Sequence, residues 1–361
     1  MSEEQELNGL RARIDELDAQ LLTLISERAR CAQDVAHVKQ AAGGEPAFYR
    51  PEREAQVLRK IIEQNPGPLS GEEIARLFRE IMSACLALEQ PMRIAYFGPA
   101  GTFTQAAALK HFGHSVNTVP LSSIDEVFRE VEAGTADYGV VPVENSTEGV
   151  VSHTLDMFLQ SPLKICGEVL LRIHHHLLST QTDMSKIKRV YSHQQSLAQC
   201  REWLDAKLPQ AERVSGISNA EAARRAKAEP DAAAIAGEAA AELYELQVLA
   251  RNIEDHPDNT TRFLIIGRQQ VSPSGRDKTS LLVSTANRPG SLFKLIEPLA
   301  RNGVSMTRIE SRPSHCVNWE YVFFLDLEGH AQDANVSHAL KDLSAEADLC
   351  KVLGSYPRAV L

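Results

Sequence analysis

Between Leu10 and Val38 the chain repeats its apolar residues at alternating spacings of four and three: Leu10, Ile14, Leu17, Leu21, Leu24, then Arg28, Cys31, Val35 and Val38. That is the rhythm of a helix packed along its whole length. A helix from about Glu6 to Ala41 is more than about 50 Å long at 1.5 Å per residue, whereas a compact domain of about 100 residues has a radius of gyration of about 13 Å. One copy cannot bury such a seam. Intertwining with a second copy is the simplest remedy, so a homodimer or a higher assembly is expected.

The seam also carries a cation, Arg28. Lys39 follows three turns later on the same face, while Arg11 lies at least about a quarter turn away and joins them only from an antiparallel second chain. A guanidinium buried without an anion is costly. It therefore awaits a carboxylate-bearing ligand, unless a local carboxylate such as Asp34 or Glu54 takes it.

A formal net charge of -10 over 361 residues repels nucleic acid and anionic lipid, so neither is an expected partner. No apolar run approaches the roughly 20 residues of a membrane span, and the acidic start MSEEQE lacks the basic flank of a secretion signal, so the cytoplasm is expected. The six cysteines form no CxxC pair and read as reduced, mostly buried thiols. His174-His175-His176 sits in a stretch, Val169 to Leu178, that alternates as a strand and puts only two of the three on one face, so no metal is expected. Gly98-Pro99-Ala100-Gly101-Thr102-Phe103-Thr104 follows a strand and opens a helix, a place to receive an anionic group. It has neither the GxGxxG of a dinucleotide fold nor the Lys-Ser/Thr of a P-loop, and no cofactor is expected.

The organisation is multidomain. Residues 1–91 read as helices: Ala41-Ala42-Gly43-Gly44 ends the first, Pro51 opens the second, Asn65-Pro66-Gly67-Pro68 stops it, and Ser70 with Glu73 caps the third. From Pro91 strands alternate with helices, giving an α/β region over 92–270. Its strand candidates are Arg93–Phe97, Tyr138–Val143, Lys188–Ser192, Ala232–Ile235 and Arg262–Ile266. Ala136 to Glu144 loosely echoes Pro230 to Glu238, a weak repeat that predicts two lobes and a cleft. Val271 to Asp277 has linker composition, and residues 278–361 follow the strand, helix, strand, strand, helix, strand order of a ferredoxin-like α+β domain.

Leu10-Arg11, Ile14, Leu17-Asp18, Leu21-Leu22, Glu27-Arg28, Lys39 and Arg53-Glu54 resemble the all-helical chorismate mutases over residues 5–90. The resemblance implies that Arg11, Arg28, Lys39 and Arg53 hold the carboxylates and ether oxygen of chorismate while Glu54 bonds its hydroxyl. The rearrangement to prephenate needs only orientation and cations beside the ether oxygen. This chain departs from the enteric pattern with Arg50 in place of an aspartate, and with Cys85 and Glu89 in place of serine and glutamine. Glu89 serves beside an ether oxygen only when protonated, which apolar neighbours and a helix C-terminus favour.

Pro142-Val143-Glu144-Asn145-Ser146, Tyr191-Ser192-His193-Gln194 with Gln199, and Asn259-Thr260-Thr261-Arg262-Phe263 place polar groups at strand ends, where α/β sheets bind ligands. With the Gly98 to Thr104 turn they resemble prephenate dehydratases over residues 92–268, whose two-lobed domain is periplasmic-binding-protein-like. Implied for prephenate are Thr261, Asn145, Ser192, Gln199 and Glu144 as catalytic groups, with Thr102, Phe103, Thr104, Ser146, His193, Arg262 and Phe263 lining the substrate. Thr261 is expected to donate to the departing hydroxyl, and either it or Glu144 to deliver the proton. For Ser192 and Thr102 a plain turn or cap hydrogen bond is the alternative.

Asn287-Arg288-Pro289-Gly290-Ser291-Leu292 and Glu310-Ser311-Arg312-Pro313 resemble the ACT domains attached to prephenate dehydratases, which implies an L-phenylalanine site between subunits. Gly290 is expected to permit close approach there. The rivals are an amino-acid sensor without chemistry and an enzyme whose helical domain only dimerises.

Overall fold

The computed structural model describes residues 3–41, 49–313 and 321–361, so Ala42 to Gly44 and Cys316 lie outside the described residues. Three helices come first: α1 (Glu3–Ala41), α2 (Pro51–Gln64) and α3 (Gly71–Glu89). Pro51 sits in the first turn of α2, where its missing N–H costs nothing. The Ser70 hydroxyl accepts from Glu73 N at 3.1 Å to start α3. At 39 residues α1 is about 58 Å long. Ala36 is its one buried residue, and Leu10, Ile14, Leu17, Leu21, Leu24, Val35 and Val38 all stand exposed. In a single chain, then, the seam faces solvent.

The middle region is two lobes. The first contains β1 (Arg93–Phe97), α4 (Phe103–Phe112), β2 (Asn117–Leu121), α5 (Ile124–Glu132), β3 (Tyr138–Asn145), β4 (Gly149–Val150), α6 (Ser152–Gln160), β5 (Lys164–Arg172) and the returning β11 (Thr260–Gly267). The second contains β6 (His176–Ser179), β7 (Arg189–His193), α7 (Gln194–Gln199), α8 (Arg201–Lys207), β8 (Glu212–Gly216), α9 (Asn219–Ala228), β9 (Ala232–Ala236), α10 (Glu238–Leu243) and β10 (Gln247–Ala250). The weak sequence echo has a structural counterpart. Lobe one runs β2-β1-β3-β11-β5 and lobe two β8-β7-β9-β6-β10, each with two parallel pairings followed by two antiparallel ones. The echoing phrases hold β3 and β9, the middle strand of each lobe.

The last unit is β12 (Asp277–Ser284), α11 (Ser291–Arg301), β13 (Met306–Pro313), β14 (Tyr321–Glu328), α12 (Ala334–Glu346) and β15 (Leu349–Pro357), with sheet order β13-β14-β12-β15. One face of this sheet packs on α11 and α12 through Leu281, Leu295, Leu299 and Leu343. The other joins lobe one, since Leu282, Phe324, Leu353 and Tyr356 share a core with Phe158, Ile165 and Leu264. Contact there is so close that a Cβ on Gly354 would stand 2.2 Å from the Ile165 carbonyl oxygen.

The segment of linker composition is not a loose tether. Ser274 and Asp277 are buried and bonded to each other. Arg59 of α2 donates to the Ser274 hydroxyl at 3.0 Å and the Arg276 carbonyl at 2.9 Å, and Arg79 of α3 donates to the Lys110 carbonyl at 2.7 Å. The α2–α3 hairpin is thus docked on both other units.

Candidate active sites

The β3–β11 ladder organises the cleft, because side chains alternate across a strand. Thr261 pairs with Asn145 in register and Arg262 with Glu144. Neighbouring steps of one ladder therefore face opposite ways.

On the cleft side the Asn145 amide nitrogen donates to Thr261 Oγ1 and to Asn259 Oδ1, both at 2.8 Å. Asn145 Oδ1 accepts from Thr147 N at 2.9 Å and Glu148 N at 3.0 Å. All four hydrogen-bonding positions of that side chain are used, so it positions Thr261 and has none left for a ligand. Thr261 accepts one bond, and among the described residues none takes its proton, leaving a nearly buried hydroxyl with a donor to offer. Lobe two reaches in through Gln199, whose Oε1 accepts from Asn259 Nδ2 and pairs with His175 Nε2, each at 2.9 Å. Gln199 Nε2 donates to Glu148 Oε1 at 3.1 Å, tying the lobes together.

The structure places three expected residues away from the cleft, two of them on the opposite side of the ladder. Arg262 is a buried junction to the last domain: Nε donates to Glu168 at 2.9 Å, Nη1 to Asp326 and Nη2 to Tyr356 Oη at 2.9 Å. Burial opposes its charge, but Tyr356, Asp326 and Glu168 more than offset that and hold its pKa above the ordinary range. Glu144 pairs with Arg308 of β13 at 3.0 Å, away from Thr261. Phe263 is core, packed with Tyr96, Phe112 and Tyr138.

Other expected residues make bonds and contacts within the protein. Ser192 is fully buried and donates to the Ile235 carbonyl at 2.8 Å, beside Asn219 at 2.9 Å. Thr102 caps α4 and His193 caps α7, while Ser146 Oγ accepts from Thr260 N at 3.0 Å. Thr104 is buried, and Phe103 stands edge-on to His175 with ring centroids 5.6 Å apart. The histidine triplet is not one strand: β5 stops at Arg172 and β6 starts at His176. His174 and the His175 amide instead bond the Glu254 carboxylate. Asn259, Glu148 and His175 join the site without having been expected there, although Asn259 opens the Asn-Thr-Thr-Arg-Phe phrase.

In the helical domain Arg28 and Lys39 of α1 converge on Glu89 at the end of α3. Burial raises the Glu89 carboxyl above its ordinary value, with Lys39 and then Arg28 pulling the other way. Cys85 is buried one turn earlier. Arg11 is 17 residues from Arg28 on the same helix, about 26 Å away, so it cannot join within one chain. Arg53 is exposed, and Arg50 bonds Glu52 at 2.7 Å. Glu54 departs from expectation: it accepts from Arg79 Nε at 3.2 Å, ten residues or about 15 Å along α3 from Glu89. The buried Arg79 needs that anion.

In the last domain the two expected effector segments share one end of the sheet, because Ser284, Val322 and Arg312 lie in register across β12, β14 and β13. Asn287, Pro289 and Leu292 are exposed, as is Ser311, while Ser291 and Glu310 are half-buried. Arg312 makes a two-pronged bond to Asp156 of α6 at 2.9 and 3.0 Å, and Pro313 ends β13. A Cβ on Gly290 would meet nothing within 4 Å, so its need for glycine is conformational, at φ 84°, rather than one of close approach.

Two separate polar sites in one chain, with a third unit gripping the back of one of them, are the plan of a multifunctional enzyme. Family profiles match in the same three blocks: chorismate mutase type II over residues 10–90, prephenate dehydratase over 94–271 and ACT domain over 279–345. Bifunctional chorismate mutase/prephenate dehydratases from Stutzerimonas stutzeri and Pseudomonas aeruginosa are 62% and 60% identical, each over 100% of both chains. The solved prephenate dehydratase from Arthrobacter aurescens in complex with L-Phe is 38% identical, with a TM-score of 0.69, covering 74% of this chain and 90% of that one. The chain belongs to the family of bifunctional chorismate mutase/prephenate dehydratases with an ACT domain.

Proposed function

We infer that this chain performs two consecutive steps of L-phenylalanine biosynthesis, rearranging chorismate to prephenate in residues 1–91 and converting prephenate to phenylpyruvate in residues 92–270, with feedback by L-phenylalanine through residues 278–361. In the second step the ring C–O bond and the bond to the ring carboxylate both break. The electron pair freed with CO2 completes the aromatic ring, and the leaving hydroxide takes one proton to become water. The observation that carries the assignment is the Thr261 hydroxyl, held by Asn145 as an acceptor and so free to donate to that oxygen. Gln199 and Asn259 keep one amide hydrogen each for the substrate.

The mutase site is assigned to Arg28, Lys39, Arg53, Cys85 and Glu89 of one chain with Arg11 of a second, because a cation about 26 Å away on the same helix reaches the others only across an antiparallel dimer. The exposed seam of α1 supports that dimer. Phenylalanine is assigned to the segments around Gly290 and Glu310 to Pro313. The cytoplasm fits these substrates, and no helix among the described residues is long and apolar enough to cross a membrane.

The test supplies chorismate to the full-length chain and follows prephenate and phenylpyruvate separately. Both should appear, in that order; absence of either removes the corresponding half of the assignment. A pH profile sharpens the first half. Glu89 donates to the ether oxygen only while protonated, so mutase turnover should be full below its raised pKa and decline as pH climbs through it. Glu89→Gln should flatten the decline, and an unchanged profile would place the titrating group elsewhere.

A further inference from the structure

We propose that His175 is a positioning residue for dehydration, holding through Gln199, Asn259 and Asn145 the amide orientations of a hydrogen-bond relay that leaves the Thr261 proton pointing to prephenate. The proposal rests on the reading of this cleft as the dehydratase site and adds to it the group that orients that site.

These orientations follow from donor and acceptor counting. A carbonyl oxygen only accepts, so the 2.9 Å contact from Gln199 Oε1 requires the proton of His175 on Nε2. Burial keeps that imidazole below its usual pKa and therefore neutral, with the bond to Gln199 only partly opposing. Gln199 Oε1 then takes its second bond from Asn259 Nδ2. Asn259 must turn its Oδ1 toward Asn145, whose amide nitrogen in turn donates to Thr261. Each amide is thus oriented by its neighbour: Gln199 Oε1 accepts from both His175 and Asn259, and Asn145 donates to both Asn259 and Thr261.

Reversal is blocked at both ends. Asn145 is pinned by the backbone amides of Thr147 and Glu148. Were the Gln199 amide turned over, its NH2 would face Asn259 Nδ2 and, in this tautomer, His175 Nε2, while its Oε1 would face the Glu148 carboxylate. Glu148 also holds Gln199, but that carboxylate is exposed, where solvent screening weakens such a bond, whereas His175 is 1% exposed. The buried imidazole is the member that holds the Gln199 end of the relay, as the backbone amides hold the Asn145 end. Among the described residues its Nδ1 has no hydrogen-bond partner despite burial, so the ring pays for being held with Nε2 toward Gln199, as a group kept for its orientation does. The His174–Glu254 and His175 N–Glu254 bonds hold the backbone on which it sits.

The experiment uses the full-length enzyme with prephenate as substrate, and chorismate turnover in the same preparations reports folding. His175→Phe keeps a ring but removes the donor, and should lower kcat about 10- to 100-fold with KM changed less than about threefold. His175→Gln returns an N–H near the Nε2 position and should recover most of the loss. In His175→Phe/Asn259→Leu the two losses should not multiply, because both variants cut the same relay. Wild-type kcat in His175→Phe overturns the proposal, as does multiplication of the losses without rescue by glutamine. If His175→Phe fails to fold, the same cycle run with His175→Leu, judged against His175→Gln, decides by the same criteria. An inactive Thr261→Val beside a fully active His175→Phe refutes the relay alone, whereas a fully active Thr261→Val sinks the cleft assignment and the relay together.

Discussion

At one step of the β3–β11 ladder Asn145 meets Thr261, and at the next Glu144 meets Arg262. The first pair is neutral, lies in a cleft between lobes and keeps one hydroxyl proton unspent. The second is charged, faces the C-terminal domain and is saturated: Arg262 bonds Glu168, Asp326 and Tyr356, and Glu144 bonds Arg308. Strand alternation lets two consecutive residues of each strand serve the cleft on one face and domain docking on the other. A consequence is that the domain assigned to phenylalanine grips the strand of the reacting hydroxyl one residue away. A ligand that favours one arrangement of that domain has a short mechanical path to Thr261, provided it binds the two arrangements unequally.

Three substitutions break or sharpen this contrast. Thr261→Val, which deletes the hydroxyl at nearly constant volume, should lower dehydratase kcat by at least about 100- to 1,000-fold while chorismate turnover stays unchanged. Phenylpyruvate formation near the wild-type rate would remove Thr261 from the chemistry. Arg262→Met leaves Glu168 and Asp326 buried without their main cation and should destabilise docking by about 3–5 kcal/mol. Calorimetry should then show a lowered or split unfolding transition with both activities retained at low temperature, and an unshifted transition would mean that the junction contributes little. Glu144→Gln should have the smallest effect, a less than about threefold change in dehydratase kcat, because the half-exposed pair with Arg308 is worth at most about 1 kcal/mol. A loss as large as that of Thr261→Val would return Glu144 to the proton-transfer role that its place in the sequence first suggested.

Much of the fold is legible in the chain because its signals are local. The four-three spacing marks α1, Pro51 and Ser70 mark helix starts, and the two echoing phrases mark the equivalent strands β3 and β9. Members of the dense polar phrases at strand ends likewise meet in the cleft. Their individual members were harder to sort. Ser192, Thr102 and His193 have the same composition cues as Thr261 but spend their bonds on carbonyls and caps. His175 was hidden inside a histidine run that invites a metal reading, and Glu148 looks like an ordinary turn residue.

The sequence by itself determined the three-unit order, the helical seam and the family, and it singled out Thr261 as a candidate, because each rests on periodicity or on a contiguous phrase. Only the tertiary structure decided which way each neighbour of Thr261 faces and what it meets: Asn145 and Gln199 inward, Arg262 and Glu144 toward the last domain, Glu54 toward Arg79. Burying a charge or a hydrogen-bonding group obliges the fold to bring a partner from far along the chain, here Asp326 for Arg262 and Gln199 for His175. No local spacing encodes that pairing.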